Sequence, residues 1–157
     1  MSRQKGRPMA IGEICNREVV VAERSLPVVE CAKLMRTHHV GDVVVVENHP
    51  GGRRPVGIVT DRDIVVEVVA ANVMPDTLTI GDIMGPELVT VLESEGVFEV
   101  IRYMRAKGVR RVPVISKEGS LLGIVTLDDL LELLSEEIRD LAGLLSRERL
   151  REETSRK

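Results

Sequence analysis

Short runs of β-branched residues alternate along the chain with longer stretches in which apolar residues recur at helical spacing. The four consecutive valines at 43–46 are typical of a strand that is buried on both faces. Ser25 followed by Pro27 indicates a helix start, and apolar residues then recur every three or four positions as far as His39. The first half of the chain therefore predicts a strand at 19–21, a helix at 25–39, strands at 43–46 and 56–59, and a helix from Asp61 to about Ala70.

The second half of the chain repeats the first. The segment 11–14 (Ile-Gly-Glu-Ile) returns 69 positions later at 80–83, and the segment 57–60 (Gly-Ile-Val-Thr) returns 66 positions later at 123–126. The difference of three residues falls in the loop at 48–54 of the first copy. The second copy accordingly predicts a helix between Ser94 and Gly108, strands at 112–115 and 121–125, and a helix from Leu127 onward.

Two copies of this length are expected to fold as one body. A lone unit of about 60 residues buries too little surface to be more than marginally stable, so the copies should pack together about a pseudo-two-fold axis. Each copy has the order β-α-β-β-α, which gives an α/β (α+β) fold with two related clefts, so that a functional site is expected in duplicate. The predicted organisation is an N-terminal arm (1–9), a first repeat (10–70), a linker (71–79), a second repeat (80–136) and a C-terminal helical tail (137–157).

The tail continues an apolar stripe that starts inside the second repeat. Its members step by three or four positions, as one face of a helix does. A stripe of this kind needs a partner surface, and the sequence therefore predicts a homodimer. The members are Leu127, Leu130, Leu134, Ile138, Leu141 and Leu145.

Composition and charge narrow the class of function. The net charge is −3 and the only aromatic residues are Phe98 and Tyr103, which argues against nucleic acid as a partner. No apolar stretch is long enough for a membrane span, and Cys15 and Cys31 are best interpreted as reduced, so a cytoplasmic protein is expected. The cysteines and the three histidines lack metal-ligand spacing, and no nucleophile has a His and carboxylate framework. We therefore expect no metal and no enzymatic activity.

Both repeats place Thr-x-x-Asp where a strand passes into a helix. One interpretation is structural: Thr60 and Thr126 cap the helices, while Asp63 and Asp129 bond back as the second half of a capping box. The other interpretation is functional. A helix N-terminus offers N–H groups to phosphate, and a carboxylate three residues further on can accept both hydroxyls of a ribose. The motif alone leaves both interpretations open.

In its context the motif resembles the cystathionine-β-synthase (CBS) domain family. The resemblance covers about residues 10–136 and is carried by the repeated element order, by Gly-Ile-Val-Thr-Asp-Arg-Asp-Ile at 57–64 and by Val-Arg-Arg-Val-Pro-Val-Ile at 109–115. The sequences of these two segments are similar to those found in stand-alone prokaryotic proteins with tandem CBS domains. This resemblance implies a regulatory module without catalysis that needs no cofactor and binds an adenosine-containing regulatory ligand (AMP, ADP, ATP, S-adenosylmethionine or NAD(H)). It also implies dimerisation into a disc of four CBS units.

The resemblance further implies two unequal pockets, each built from the Thr and Asp of one repeat and strand segments of the other. In site one, Arg110 and Arg111 would hold phosphate through bidentate contacts. In site two their equivalents are Gly41 and Asp42, which predicts weaker binding of phosphorylated ligands. Site one comprises Thr60, Asp63, Val89, Val109, Arg110 and Arg111, and site two comprises Thr126, Asp129, Val20, Val40 and Gly41.

An alternative function belongs to a different class. The chain could be a ligand-free structural module whose pockets stay empty and which acts through protein–protein contacts of its C-terminal helix, with a partner that the sequence does not identify. Binding of an adenine compound separates the two hypotheses.

Overall fold

The computed structural model describes residues 8–155, and the predicted arm at Arg3, Lys5 and Arg7 lies outside the described residues. The first repeat contains α1 (Ile11–Ile14), β1 (Val21–Ala22), α2 (Val28–His38), β2 (Asp42–His49), β3 (Gly52–Thr60) and α3 (Asp61–Ile64), which continues as a π-helical turn (Val65–Val69). A 3-10 turn (Pro75–Thr77) lies in the connection between the repeats. The second repeat contains α4 (Ile80–Ile83), β4 (Val91–Leu92), α5 (Val97–Lys107), β5 (Arg111–Ile115), β6 (Leu121–Thr126) and α6 (Leu127–Ser155).

The predicted mixed fold is confirmed. Each repeat forms a three-stranded sheet, in the orders β1-β2-β3 and β4-β5-β6. In the first sheet β1 runs parallel to β2, whereas β2 and β3 form an antiparallel hairpin with an irregularity between Val45 and Val46. The described residues up to Val125 form one compact unit, and those from Thr126 onward form a second.

Several predicted boundaries are wrong for local reasons. The helices α2 and α5 begin after Pro27 and Gly96, two residues later than the predicted starts at Ser25 and Ser94. Proline disfavours helical geometry in the residue before it, so Leu26 cannot belong to α2. The first strand was predicted at 19–21 but is restricted to Val21–Ala22.

The valines of β2 bear out the expectation of a strand buried on both faces. Val43 and Val45 belong to one hydrophobic cluster, which also contains Val28, Cys31 and Ile80. Val44 and Val46 point to the opposite face and pack in a second cluster with Ile124. All four side chains are buried, as the period of two in a strand requires.

The two repeats exchange backbone hydrogen bonds through their short first helices. The amides of Ile11 and Gly12 donate to the carbonyl oxygens of Glu95 (2.7 Å) and Glu93 (3.0 Å) in the second repeat. At positions 69 residues later, the amide of Ile80 donates to Leu26 (2.9 Å) and that of Gly81 donates to Arg24 (3.0 Å). Because each bond has its counterpart at the same shift, the contacts between the repeats follow a pseudo-two-fold symmetry.

Glycine at position 12 is a requirement of this exchange. A Cβ atom built on Gly12 would lie 2.9 Å from the backbone oxygen of Glu93, and one on Gly81 would lie 3.0 Å from that of Arg24. Both distances are too short for ordinary carbon–oxygen contacts, and the backbone atoms opposite cannot rotate away. The repeated Ile-Gly-x-Ile segment is therefore a site of close backbone approach.

We expect Gly12→Ala to lower the free energy of unfolding by about 1–3 kcal/mol, as overpacking does. In Gly143→Ala the new methyl group meets no described atom within 4 Å. That control should raise stability by about 0.5–1 kcal/mol, because alanine is the better helix former. Denaturant unfolding measures both changes. Equal stability of Gly12→Ala and the unmodified chain would contradict the close approach.

The buried thiol of Cys31 adds a pH dependence to stability. Burial raises the pKa of Cys31 from 9.0 to about 11. A group whose pKa is raised on folding stabilises the fold below its unfolded pKa, and this contribution is lost as the pH rises from about 9 towards 11. Across that window, stability should fall more steeply in the unmodified chain than in Cys31→Ala. Denaturant unfolding at a series of pH values measures this difference. If the free energies of unfolding of the unmodified chain and of Cys31→Ala fell equally between about pH 9 and 11, Cys31 would not be the source of the pH dependence.

Candidate functional site

One cleft brings together all six residues that the sequence analysis assigned to site one. The cleft has a volume of about 490 Å³, within the range of about 300–1,000 Å³ that is usual for small-molecule sites. It is lined on one side by the end of β3 and the start of α3, and on the other by the segments around Val89 and Val109 in the second repeat. The six residues are Thr60, Asp63, Val89, Val109, Arg110 and Arg111.

The capping box at Thr60 is present and leaves part of each side chain available. The Thr60 amide donates to Oδ2 of Asp63 (2.7 Å), and the Asp63 amide donates to Oγ1 of Thr60 (3.1 Å). These bonds hold both side chains at the cleft wall. Because they use one carboxylate oxygen of Asp63 and only the acceptor capacity of the Thr60 hydroxyl, Oδ1 can still accept and the hydroxyl can still donate.

The first-turn amides of α3 are already occupied. The amide of Asp61 donates to the Gly41 carbonyl (3.1 Å), and that of Arg62 donates to Oδ1 of Asp61 (2.8 Å). With the Asp63 amide bonded to Thr60, three amides that the sequence analysis offered to phosphate have partners within the chain. Direct binding of phosphate by arginine side chains thus becomes the stronger option.

Arg111 makes a contact that the sequence did not reveal. Its Nη1 donates to Oδ2 of Asp42 (2.7 Å) and to the Gly41 carbonyl (3.2 Å), and both charged side chains are partly buried. Positions 42 and 111 are equivalent in the two repeats, so a residue and its own counterpart form the ion pair. The carboxylate of Asp42, which we expected to repel phosphate at site two, is therefore paired with a guanidinium.

Arg110, unlike its neighbour Arg111, has no carboxylate partner among the described residues and can offer its charge to a ligand. Its side chain is exposed and lines the cleft, and among residues 8–155 no carboxylate lies within salt-bridge distance of it. The equivalent position in the first repeat is Gly41, so the difference in charge between the two predicted sites depends on Arg110 more than on Arg111.

Sequence reasoning missed several residues that line the same cleft. Asp61 and Arg62 stand between the two recognised members of the capping box, and that position was the available signal. Glu87 precedes Val89 by two residues and adds a third acidic group beside Asp61 and Asp63. These three carboxylates and the three arginines at 62, 110 and 111 leave the lining of the cleft close to electrically neutral.

The predicted members of site two lie on both compact units. Val20 and Val40 line one depression of the first unit, together with Arg17 and His38. Thr126 and Asp129 lie at the start of α6 in the second unit. There they form the expected capping box, with the Thr126 amide donating to Oδ2 of Asp129 (2.9 Å) and the Asp129 amide donating to Oγ1 of Thr126 (3.2 Å). Gly41 is tied to α3 and to Arg111 through its carbonyl oxygen.

The part of the chain that the structure describes offers neither a metal-binding cluster nor a membrane-spanning helix. No group of three or more histidine, cysteine, aspartate or glutamate side chains in residues 8–155 could hold a metal ion. Within the same part of the chain, every helix is either too short or too polar to cross a membrane.

Comparison with known proteins identifies the two repeats. The CBS domain profile matches residues 11–70 and again residues 80–136. The uncharacterized protein MK0525 of Methanopyrus kandleri is 38% identical over 127 residues, which cover 81% of this chain and 63% of that protein. The chain therefore spans less than two thirds of the length of this relative.

Solved structures of similar sequence share the fold. The CBS domain pair of protein MJ0100, in complex with 5′-methylthioadenosine and S-adenosyl-L-methionine, has a TM-score of 0.72 and 27% identity, and the match covers 83% of this chain and 98% of that one. The hexameric CBS-CP12 protein from bloom-forming cyanobacteria has a TM-score of 0.68 and 34% identity, covering 78% and 69% of the respective chains.

The ion pair between Asp42 and Arg111 predicts energetic coupling between the repeats. Asp42→Asn and Arg111→Gln should each be destabilising, and the double variant should be less so than their sum, because each single change removes the ion pair but keeps the desolvation cost of the remaining partly buried charge. A double-mutant cycle measured by denaturant unfolding should give a coupling energy of about 0.5–3 kcal/mol. Strict additivity would show that the pair does not connect the repeats.

Proposed function

This chain belongs to the CBS domain family, and we propose that it is a regulatory module that binds an adenosine-containing ligand in the cleft at site one, without catalysis. The observation that carries the proposal is the convergence of Asp63 and Arg110 on one cleft of ligand size. A carboxylate can accept hydrogen bonds from the ribose hydroxyls of a nucleoside monophosphate, and a guanidinium can bind its phosphate.

Asp63 is the proposed ribose acceptor. Its Oδ2 accepts a hydrogen bond from the Thr60 amide, so the carboxylate is already oriented before a ligand binds. The second oxygen, Oδ1, can then accept from the ligand without a change in side-chain conformation. Two ribose hydroxyls can donate to such a carboxylate, and hydrogen bonds to charged groups are worth about 1.5–3 kcal/mol each. The same contact would discriminate against 2′-deoxyribose.

Arg110 is the proposed phosphate ligand, with the Thr60 hydroxyl as a second donor. Arginine presents parallel N–H groups that match phosphate oxygens. Arg111 contributes less than the sequence suggested, because it already holds Asp42. Arg62 and Arg110 are opposed by the three carboxylates of Asp61, Asp63 and Glu87, so the cleft suits AMP better than the more highly charged ADP and ATP.

The base would be held by aliphatic side chains. Ile58, Leu88, Val89 and Val109 line the cleft, and none of its described lining residues is aromatic. The complex of MJ0100 with 5′-methylthioadenosine and S-adenosyl-L-methionine supports an adenosine-type ligand for this chain, and NAD(H) carries the same adenosine group.

We propose that site two, at Thr126, Asp129, Val20, Val40 and Gly41, binds phosphorylated ligands more weakly. Its equivalent of Arg110 is Gly41, which offers no charge to a phosphate. The pairing of Asp42 with Arg111 removes the repulsion expected from the sequence, so the difference between the sites follows from a missing cation.

We further propose that the protein acts in the cytoplasm as a homodimer. Cys15 and Cys31 are free and buried, as in proteins of reducing compartments. The hexameric state of the CBS-CP12 protein supports self-association within this family. The ligand-free structural module remains the competing function, and retention of an adenine compound in calorimetry decides between them.

Titration calorimetry with AMP and adenosine tests the proposed roles. Arg110→Ala should weaken AMP more than tenfold while leaving adenosine nearly unchanged, because one charge-assisted contact to phosphate is lost. Asp63→Ala should weaken both ligands, and Asp129→Ala should preserve one dominant AMP site per chain. Arg105→Ala, an exposed arginine on α5 outside the cleft, is the matched control for loss of one positive charge.

Three results would contradict the proposed function or its assignments. Equal weakening of AMP and adenosine by Arg110→Ala would remove Arg110 from the phosphate position. Loss of the dominant site in Asp129→Ala, with retention in Asp63→Ala, would exchange the roles of the two sites. Absence of binding by any adenine compound would favour the structural module.

A further inference from the structure

The C-terminal half of α6 exposes an unusual number of large apolar side chains to solvent. Every residue from Ser135 to Ser155 is exposed to solvent. The C-terminal half of the predicted stripe lies in this region: Ile138, Leu141 and Leu145 are 66%, 62% and 64% exposed. These three residues span about two turns of a single 29-residue helix.

A helix in this situation requires a partner. Isolated helical segments are marginal in water, and most helical stability in proteins comes from packing of an apolar face. Leu130, which was predicted to belong to the stripe, is buried in the core (3% exposed), and Leu131 (54% exposed) takes its place. The stripe on α6 therefore comprises Leu127, Leu131, Leu134, Ile138, Leu141 and Leu145, which follow one another in steps of four and three residues. Such spacing is that of the apolar seam between two paired helices. The surface therefore suits another helix with the same spacing.

The charges along α6 indicate which helix fits. Residues 128–140 contain six acidic residues and one arginine, whereas residues 147–151 contain three arginines and one glutamate. A parallel pair of identical helices would place the acidic segment beside its own copy. An antiparallel pair turns the acidic segment of each copy towards the basic segment of the other, which is the favourable arrangement.

We propose that the stripe on α6 is a self-association surface, on which two copies of this chain pair their C-terminal helices antiparallel. In the register that buries the stripe best, Ile138 lies opposite Leu141 of the second copy, and Leu134 lies opposite Leu145. The same register brings Asp128 near Arg149 of the second copy. This surface shares no residue with site one, so the pairing does not depend on a ligand bound there.

Distances between spin labels at two positions test the orientation of the helices. Arg139→Cys lies near the centre of the antiparallel pair and Thr154→Cys near its end, and both positions are exposed. The native cysteines are buried, so the introduced thiols are labelled selectively. With a rise of 1.5 Å per residue, the two labels at position 154 should be about 40 Å apart, whereas those at position 139 should lie within about 20 Å.

A matched pair of variants tests the stripe itself. Leu141→Glu should abolish the short distance at position 139. Leu150→Glu should preserve it, because Leu150 is equally exposed (63%, compared with 62% for Leu141) but lies off the stripe. Light scattering should give twice the chain mass of 17.4 kDa for the unmodified protein and for Leu150→Glu.

Three outcomes would overturn the proposal. Short distances at both positions would mean that the helices pair in parallel. A dimer whose distances do not change in Leu141→Glu would associate through another surface. Absence of any dipolar interaction, together with the monomer mass, would show that the stripe has no partner of its own kind.

Discussion

The reciprocal backbone exchange between the repeats is the constraint on which the rest of the structure depends. The four-residue helices α1 and α4 each donate their first amides to carbonyl oxygens of the opposite repeat. Each repeat is too small to bury an adequate core alone, so neither is expected to be stable without this contact. Gly12 and Gly81 allow the backbones to approach closely enough for the bonds to form.

This exchange also determines where a ligand can bind. Because the segment after α4 is held against the first repeat, Val89 faces the end of β3, and the cleft forms where one repeat's capping box meets the other's strands. The ion pair of Asp42 with Arg111 crosses between the same two repeats. Arg111 is therefore part of the contact between the repeats, whereas the adjacent Arg110 can bind a ligand.

Local signals predicted much of this arrangement, and long-range contacts account for the rest. The valine run at 43–46 and the Thr60 capping box follow from periodicity and from spacing within four residues, and both are confirmed. No local pattern could assign Arg111 to Asp42, which is 69 residues away, because that contact exists only after the repeats pack. The predicted helix starts at Ser25 and Ser94 each lie two residues before the observed caps at Pro27 and Gly96, and the proline accounts for the first of these differences.

Hydrogen–deuterium exchange with and without AMP tests the central claim most directly, namely that a nucleotide bridges the two repeats. The account predicts simultaneous protection of one segment of the first repeat, residues 58–64, and of two segments of the second repeat, residues 85–89 and 108–111. All three line the same cleft, so one ligand should slow exchange in all of them. Protection confined to one repeat, or no change in any segment at saturating AMP, would contradict a ligand site between the repeats.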